Sequence, residues 1–440
     1  MAHTVYNVGC SSIDITPPIG VFLAGYGGRN KPSDGIYHPL RAVATVIDDG
    51  GPPLLLISME WLGFYDRTAL ARQRLAAATG IAPERMVLSG THTHCGPVMR
   101  RNMDLRRHGV LDEAYIERTL DALARCATEA LAQRQPARLY AGADWCGFAA
   151  SRRRPLAPGQ IAYKPSEDAP HDHEVGVLAV EGLDGRLRQL LFSYACHPIT
   201  AGALTQIGGD FVAYACDELE ARYEGLTACF FQGCAGDQKA NLRDAEQDGW
   251  RHIELDEVAA LGRRLAGAVQ RVAATRSWHP VDGPLGVEQR LLTLYTEPAD
   301  ADELSSCATG QQAYVREWAE YHLALARRGE EAPRAIEFEV QTLHFGTAFL
   351  AVAMAGEMTV EYGLGFKREW GGRFGQVWTL GYCNDIVGYV PVRRQIPEGG
   401  YEVVDNHRYQ LYTGPFTEGT EEAIRSAVRQ SLERDLQRPA

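Results

Sequence analysis

Nine short apolar runs, each closed by glycine or a polar residue, set the fold class of this 440-residue chain. The runs "LRAVATVIDDG" (40–50), "PLLLISME" (53–60), "RMVLSG" (85–90), "VGVLAVEG" (175–182) and "LRQLLFSYAC" (187–196) are rich in aliphatic and β-branched residues. "TACFFQG" (227–233), "LGVEQRLLTLYTE" (285–297), "IEFEVQTLHFG" (336–346) and "AFLAVAMAG" (348–356) continue the series. Short length, composition and punctuation predict strands. Between them, apolar residues recur at three and four spacing over 66–80, 111–133, 210–223, 255–274, 311–328 and 420–436, which predicts helices with one buried face. The class is therefore α/β (α+β), with mixed sheets flanked by helices. No repeat, low-complexity tract or compositional linker divides the chain, so residues 1–440 are expected to form one domain. Two polar, proline- and glycine-bearing segments, 98–110 and 151–173, are expected to be loops long enough to cover a pocket.

A formal net charge of −12 without a long basic run argues against a nucleic-acid groove and against adsorption to anionic membranes. The expected partner is a small-molecule substrate; stable membrane association is not expected, and a homo-oligomer stays open. The N-terminal residues carry neither a charged n-region nor an apolar h-region, and the 10 scattered cysteines contain no CxxC pair. A cytoplasmic protein with reduced thiols is expected.

Histidines supply the functional signal. In "SGTHTHCGP" (89–97), His92 and His94 follow a strand-like run with one residue between them; on an extended strand both would face one side and could converge on a metal ion. His197 ends another run, before a proline that stops the strand. Glu357 follows Ala-Gly after an apolar run, where a metal ligand and a first-turn carboxylate facing a helix dipole are equally consistent readings. "FFQGCAGDQKANL" displays Asp237, Lys239 and Asn241 after a glycine turn, and Tyr389 and Tyr401 stand twelve apart in "GYVPVRRQIPEGGYEV".

Taken in order, "VGCSSIDITPPIG", "GYGGR", "SGTHTHCGP", "ACHPIT", "GGDF", "QGCAGDQKAN", "AGEMT" and "NDIVGYV" resemble the catalytic domain of the neutral, non-lysosomal ceramidases and their shorter bacterial relatives, over nearly the whole chain. That resemblance implies a zinc ion (Zn2+) held by His92, His197, Glu357 and Tyr389, with Tyr382 a near neighbour of the last in sequence. It implies His94 beside the metal as a proton shuttle, and Tyr401 and Arg152 as oxyanion or carboxylate partners. Imidazole and carboxylate ligands suit zinc, and such a site activates water and polarises a carbonyl at neutral pH.

The chain departs from that pattern at Lys239, which stands where the ceramidases carry a serine; a serine-dependent step is excluded there, and Lys239 is free to orient an anionic group. The ceramidases' C-terminal immunoglobulin-like domain and secretion signal are also not seen. With Arg100, Arg101, Arg106, Arg107 and Arg152–Arg154 in the two expected cover segments, the expectation is a zinc-dependent hydrolase acting on an amide C–N bond of a small polar molecule. An ester or lactone hydrolase with the same site, and a non-catalytic binding protein on the same fold, are the alternatives.

Overall fold

The computed structural model of the chain describes residues 3–100, 111–244 and 246–436. Its largest unit is a nine-stranded mixed sheet. Along the sheet run Thr227–Gln232, Leu187–Tyr194, Glu174–Gly182, Gln135–Trp145, Tyr6–Asp14, Arg41–Asp48, Leu54–Met59 and Met86–Gly90, with Trp278–Pro280 paired to Gln135–Trp145. Neighbours are antiparallel except at the two ends, where Leu187–Tyr194 runs parallel to Thr227–Gln232 and Leu54–Met59 parallel to Met86–Gly90. The sheet curls until its ends meet: Ser58 Oγ donates to Phe230 O at 2.5 Å, and Gln189 Nε2 donates to Thr45 Oγ1 at 2.7 Å.

A second sheet of four strands, Leu285–Tyr295, Ala335–Phe345, Phe349–Met354 and Gln376–Leu380, packs on one face of the first. Leu178, Leu191 and Phe231 meet Phe345, Phe349 and Trp378 in the layer between. The other face of the large sheet is covered by Asp210–Arg222 and Leu255–Thr275 on one side and by Thr68–Thr79 and Glu113–Ala132 on the other. Val360–Trp370 and Thr420–Leu436 cover the outer face of the small sheet. The result is the α/β architecture with mixed sheets that the alternation of runs predicts, because each sheet face and each helix stripe finds an apolar partner.

One expectation fails. Segment 151–173 is not a loop: Ala149–Ala157 and Gln160–Ser166 form an antiparallel hairpin whose turn is closed by Gly159 at φ +72°. The arginines that make this stretch look solvated are buried, Arg152 at 2% and Arg153 at 4% exposure, because both pair with Glu402. The other expected cover, 98–110, lies mostly outside the described residues, Arg101, Arg106 and Arg107 included.

The fold delivers its functional residues from strand ends. His92 follows Met86–Gly90, His197 follows Leu187–Tyr194, the Gly233–Asp237 turn follows Thr227–Gln232, and Glu357 follows Phe349–Met354. Carboxyl ends of strands where a sheet's order changes are the usual place for an open α/β sheet to present chemistry.

Candidate metal centre

His92 does not sit on the extended strand that would align it with His94. The strand stops at Gly90, and His92 takes a left-handed backbone, φ +69°, held by its N–H donating to Trp61 O at 2.9 Å. A non-glycine residue there costs about 1–2 kcal/mol, so the surroundings impose the conformation. The two rings converge all the same, with His94 Nε2 3.3 Å from His92 Nε2. Together with His197 they form a buried three-histidine group whose ligating nitrogens lie within 4.8 Å of one another.

The backbone carbonyls behind the rings fix which nitrogen faces the centre. His92 Nδ1 donates to Leu62 O at 2.8 Å, and His197 Nδ1 donates to Ala235 O at 2.6 Å. A carbonyl can only accept, so each ring carries its proton on Nδ1 and turns the Nε2 lone pair inward. The inward atoms meet one carboxylate oxygen: Glu357 Oε2 is 3.3 Å from His92 Nε2 and 3.2 Å from His197 Nε2. His197 Nε2 and Glu357 Oε2 are buried without a hydrogen-bond partner. Lone pairs and a carboxylate converging on one point, each ring fixed by a carbonyl, fit a divalent metal such as zinc.

Burial opposes ionisation of Glu357, yet His92 and His197 hold its carboxyl well below the usual carboxylate range. Burial drives His197 down to about 4, against the pull of Glu357, and Arg152 adds to the fall. His94 is likewise pushed well below its ordinary value by burial and by its two histidine neighbours. His94 and His197 are thereby disposed to be neutral, the ligating form.

His94 differs from the other two in its support. Its Nδ1 has no partner, and no carbonyl fixes its tautomer. What holds it is packing: Tyr26 meets its ring edge-on at 5.2 Å, and Arg29 Nη1 donates to its backbone carbonyl at 3.0 Å. Gly25, at φ +91°, passes so close that a Cβ there would lie 2.2 Å from His94 Nδ1. "GYGGR" at 25–29 is thus the support of His94, a role that spacing alone did not reveal.

Glu357 opens a two-residue strand, Glu357–Met358, paired in parallel with Tyr389–Val390 so that Glu357 and Tyr389 are register partners. Tyr389 thereby stands beside the carboxylate and lines the cleft. Tyr382 is fully buried, its hydroxyl 3.4 Å from His197 Nδ1, the face turned away from the centre. Tyr401 also lines the cleft, its ring 5.4 Å from that of Tyr389. Burial raises both phenols well above 10, with Glu357 adding to the shift at Tyr389, so both are neutral hydroxyls.

Arg152 and Lys239 are placed differently from a substrate clamp. Arg152 already has a carboxylate: its Nε donates to Glu402 Oε1 at 2.7 Å and its Nη2 to Gly236 O at 2.6 Å. Its guanidinium carbon lies 5.0 Å from the Tyr389 ring centroid and 5.2 Å from that of Tyr401. It therefore backs the tyrosine wall, and its partner Glu402, hidden in "GGYEV", is a residue that sequence reasoning missed. Lys239 pairs its backbone with His197, but its ammonium rests over Trp250 at 4.4 Å and is not among the described cleft-lining residues. Burial, with Arg152 nearby, pushes it down to about 8.

The cleft that opens onto this cluster has an empty volume of about 730 Å³, open solvent included. Arg100, Asn406, Tyr409 and Gln410 complete it with Tyr65 and Leu62; none but Arg100 attracted attention in the sequence, since they come from loop and helix segments without a motif.

Comparison with known proteins places this architecture. Neither a protein-family model nor a curated protein matches the sequence. Among solved structures, neutral ceramidase from Pseudomonas aeruginosa superposes with a TM-score of 0.78 at 22% identity, over 100% of this chain and 76% of that one. The chain has the neutral ceramidase fold. A ceramidase complexed with C2 matches at a TM-score of 0.74 and 21% identity, over 99% of this chain and 76% of that one. At such identity the likeness concerns the fold alone, and it agrees with the resemblance read from the motifs. Among the described residues no helix is long and apolar enough to cross a membrane.

Proposed function

We propose that the protein is a zinc-dependent hydrolase that cleaves an amide C–N bond of a small polar molecule with activated water. The observation that carries this reading is the meeting of His92 Nε2, His197 Nε2 and Glu357 Oε2 at the head of an open cleft, with both Nδ1 positions committed to carbonyls. His92, His197 and Glu357 would hold the ion, with the Tyr389 hydroxyl beside them. A bound zinc supplies Lewis acidity and brings the pKa of water from near 16 to about 7.

The chain's own groups do the rest. Tyr389 and Tyr401, kept as neutral phenols, offer O–H donors toward a carbonyl oxygen that gains negative charge. His94, whose Nδ1 is uncommitted, is suited to pass a proton to the departing nitrogen, without which an amine cannot leave. An ester needs no such proton, so dependence on His94 separates an amidase from an esterase. A cytoplasmic setting fits this reading, since all 10 cysteines are unbridged.

The test combines metal analysis with a matched amide and ester panel. His92→Ala and His197→Ala should each lose stoichiometric zinc and lower kcat by at least about 10³-fold. His94→Ala should keep the metal and lose amide cleavage more than ester cleavage. Full activity of the metal-free chain would overturn the proposal, as would zinc-loaded protein inert toward the whole panel, which would favour a binding protein.

A further inference from the structure

The cleft is walled by tyrosine rings more than by aliphatic side chains, and it carries an unusual charge. Apart from its histidines, the described lining residues include two charged side chains, Glu357 and Arg100. Glu357 is committed to His92 and His197. The Arg100 guanidinium carbon lies 4.7 Å from the Tyr65 ring centroid, and its Nη2 donates to Gln410 Oε1 at 2.7 Å. It makes no ion pair with a described carboxylate. Leu62 is the single aliphatic side chain among the described lining residues, the rest of the apolar wall being tyrosine rings.

A guanidinium stacked on an aromatic face keeps its in-plane N–H edge for a planar anion, and arginine matches a carboxylate with two parallel hydrogen bonds. In a protein with net charge −12, a half-buried cation that makes no ion pair with a described carboxylate, Asp385 feeling its charge through space, and that shares the cleft with the metal cluster, is also where an anion would be steered.

We propose that Arg100 reads a carboxylate on the substrate, so that the substrate class is a carboxylate-bearing amide; this rests on the amide-hydrolase reading above. In the reaction, water adds to the amide carbon, the C–N bond breaks with its electron pair on nitrogen, and nitrogen takes up a proton. An acid and an amine result, and the carboxylate held by Arg100 is unchanged. That carboxylate can sit on the amine side, as in an N-acyl amino acid, or on the acyl side, as in a dicarboxylic acid monoamide.

Zinc-loaded full chain, wild type, Arg100→Gln and Arg100→Lys, is assayed on two matched pairs. N-acetylphenylalanine is compared with its carboxamide by acetate release, and succinic acid monoanilide with its methyl ester by aniline release. Binding of each member is measured by calorimetry in parallel. The preferred carboxylate probe should exceed its neutral partner about 10- to 100-fold in kcat/KM, the range of one charge-assisted contact. Arg100→Gln should erase that preference through KM, costing the carboxylate probe far more than its neutral partner, and Arg100→Lys should restore part of it. Which pair shows the preference identifies the side that bears the anion. Equal use of charged and neutral members, equal loss on both in Arg100→Gln, or faster cleavage of an N-acyl sphingosine would overturn the proposal. Arg100-dependent binding of a carboxylate probe without any hydrolysis would support the anion contact and refute the amide-hydrolase reading instead.

Discussion

Glu402 offers the sharpest quantitative test of how the tyrosine wall is held. Its carboxylate is 1% exposed and bridges two buried guanidiniums, accepting from Arg152 Nε at 2.7 Å and from Arg153 Nη1 at 2.8 Å. Glu402→Gln keeps the shape but leaves the buried Arg152 with a neutral amide in place of its carboxylate, while Arg153 retains Glu398 at 3.3 Å. Removing one partner of a buried pair costs about 3–5 kcal/mol, because the remaining charge stays desolvated. At about 2.1 cal/mol/K per residue over 440 residues, that lowers Tm by about 3–5 °C. The effect should also depend on pH in a set direction. Burial opposes the charge, but Arg152 and Arg153 hold the folded-state pKa of Glu402 below its ordinary 4.5. The stability it contributes is therefore complete above pH 4.5 and is lost as pH falls from there through the lower folded value. Differential scanning calorimetry of wild type and Glu402→Gln at pH 7, repeated stepwise below pH 4.5, measures both. Glu418→Gln is the control, since Glu418 and its partner Arg393 are 58% and 70% exposed, and such a pair should move Tm by less than about 1 °C. A Glu402→Gln shift no larger than that of the control, or a gap that widens on acidification, would refute the reasoning.

Two further substitutions probe the support of His94 and the reach of Lys239. Gly25→Ala places a methyl 2.2 Å from His94 Nδ1 at a backbone φ of +91°; steady-state assays should show at least about a tenfold fall in kcat with zinc content intact, and undiminished activity would mean the loop does not position His94. Lys239→Met should leave kcat/KM within about threefold, because the ammonium lies over Trp250 and away from the lining of the cleft; a loss beyond a hundredfold would return Lys239 to the catalytic set.

Much of the scaffold was legible because its strands are buried on both faces. Leu54–Met59 and Phe349–Met354 are buried throughout, so they are short and apolar apart from Ser58, and no other element fits that composition. Tyr6–Asp14 and Gln135–Trp145 belong to the same sheet yet were not read as strands, because small and polar residues serve there: Gly9 faces the Glu113–Ala132 helix region so closely that a Cβ would meet Ala130 O at 2.1 Å. The hairpin over Ala149–Ser166 was misread for a related reason. Charge marks solvent only when it is unpaired, and the shared partner of Arg152 and Arg153 lies about 250 residues downstream.

The site shows the same division between what is local and what is not. The histidines stand out because few other residues end a buried strand in that way, whereas Glu357 by position is equally a first-turn carboxylate, and it joins His92 and His197 as a candidate ligand only through the family resemblance. Position does not tell the roles of His92 and His94 apart, because "THTH" presents two histidines as equivalents. What distinguishes them is a carbonyl thirty residues away: Leu62 O fixes the tautomer of His92 and commits its Nε2 to the centre, while His94 Nδ1 meets only the glycine loop and keeps its proton unassigned. Under the proposed function, His92 as a ligand must hold one protonation state and His94 as a proton carrier must exchange between two. The backbone around each ring, imposed by the left-handed turn at His92, provides that difference where the side chains themselves are identical.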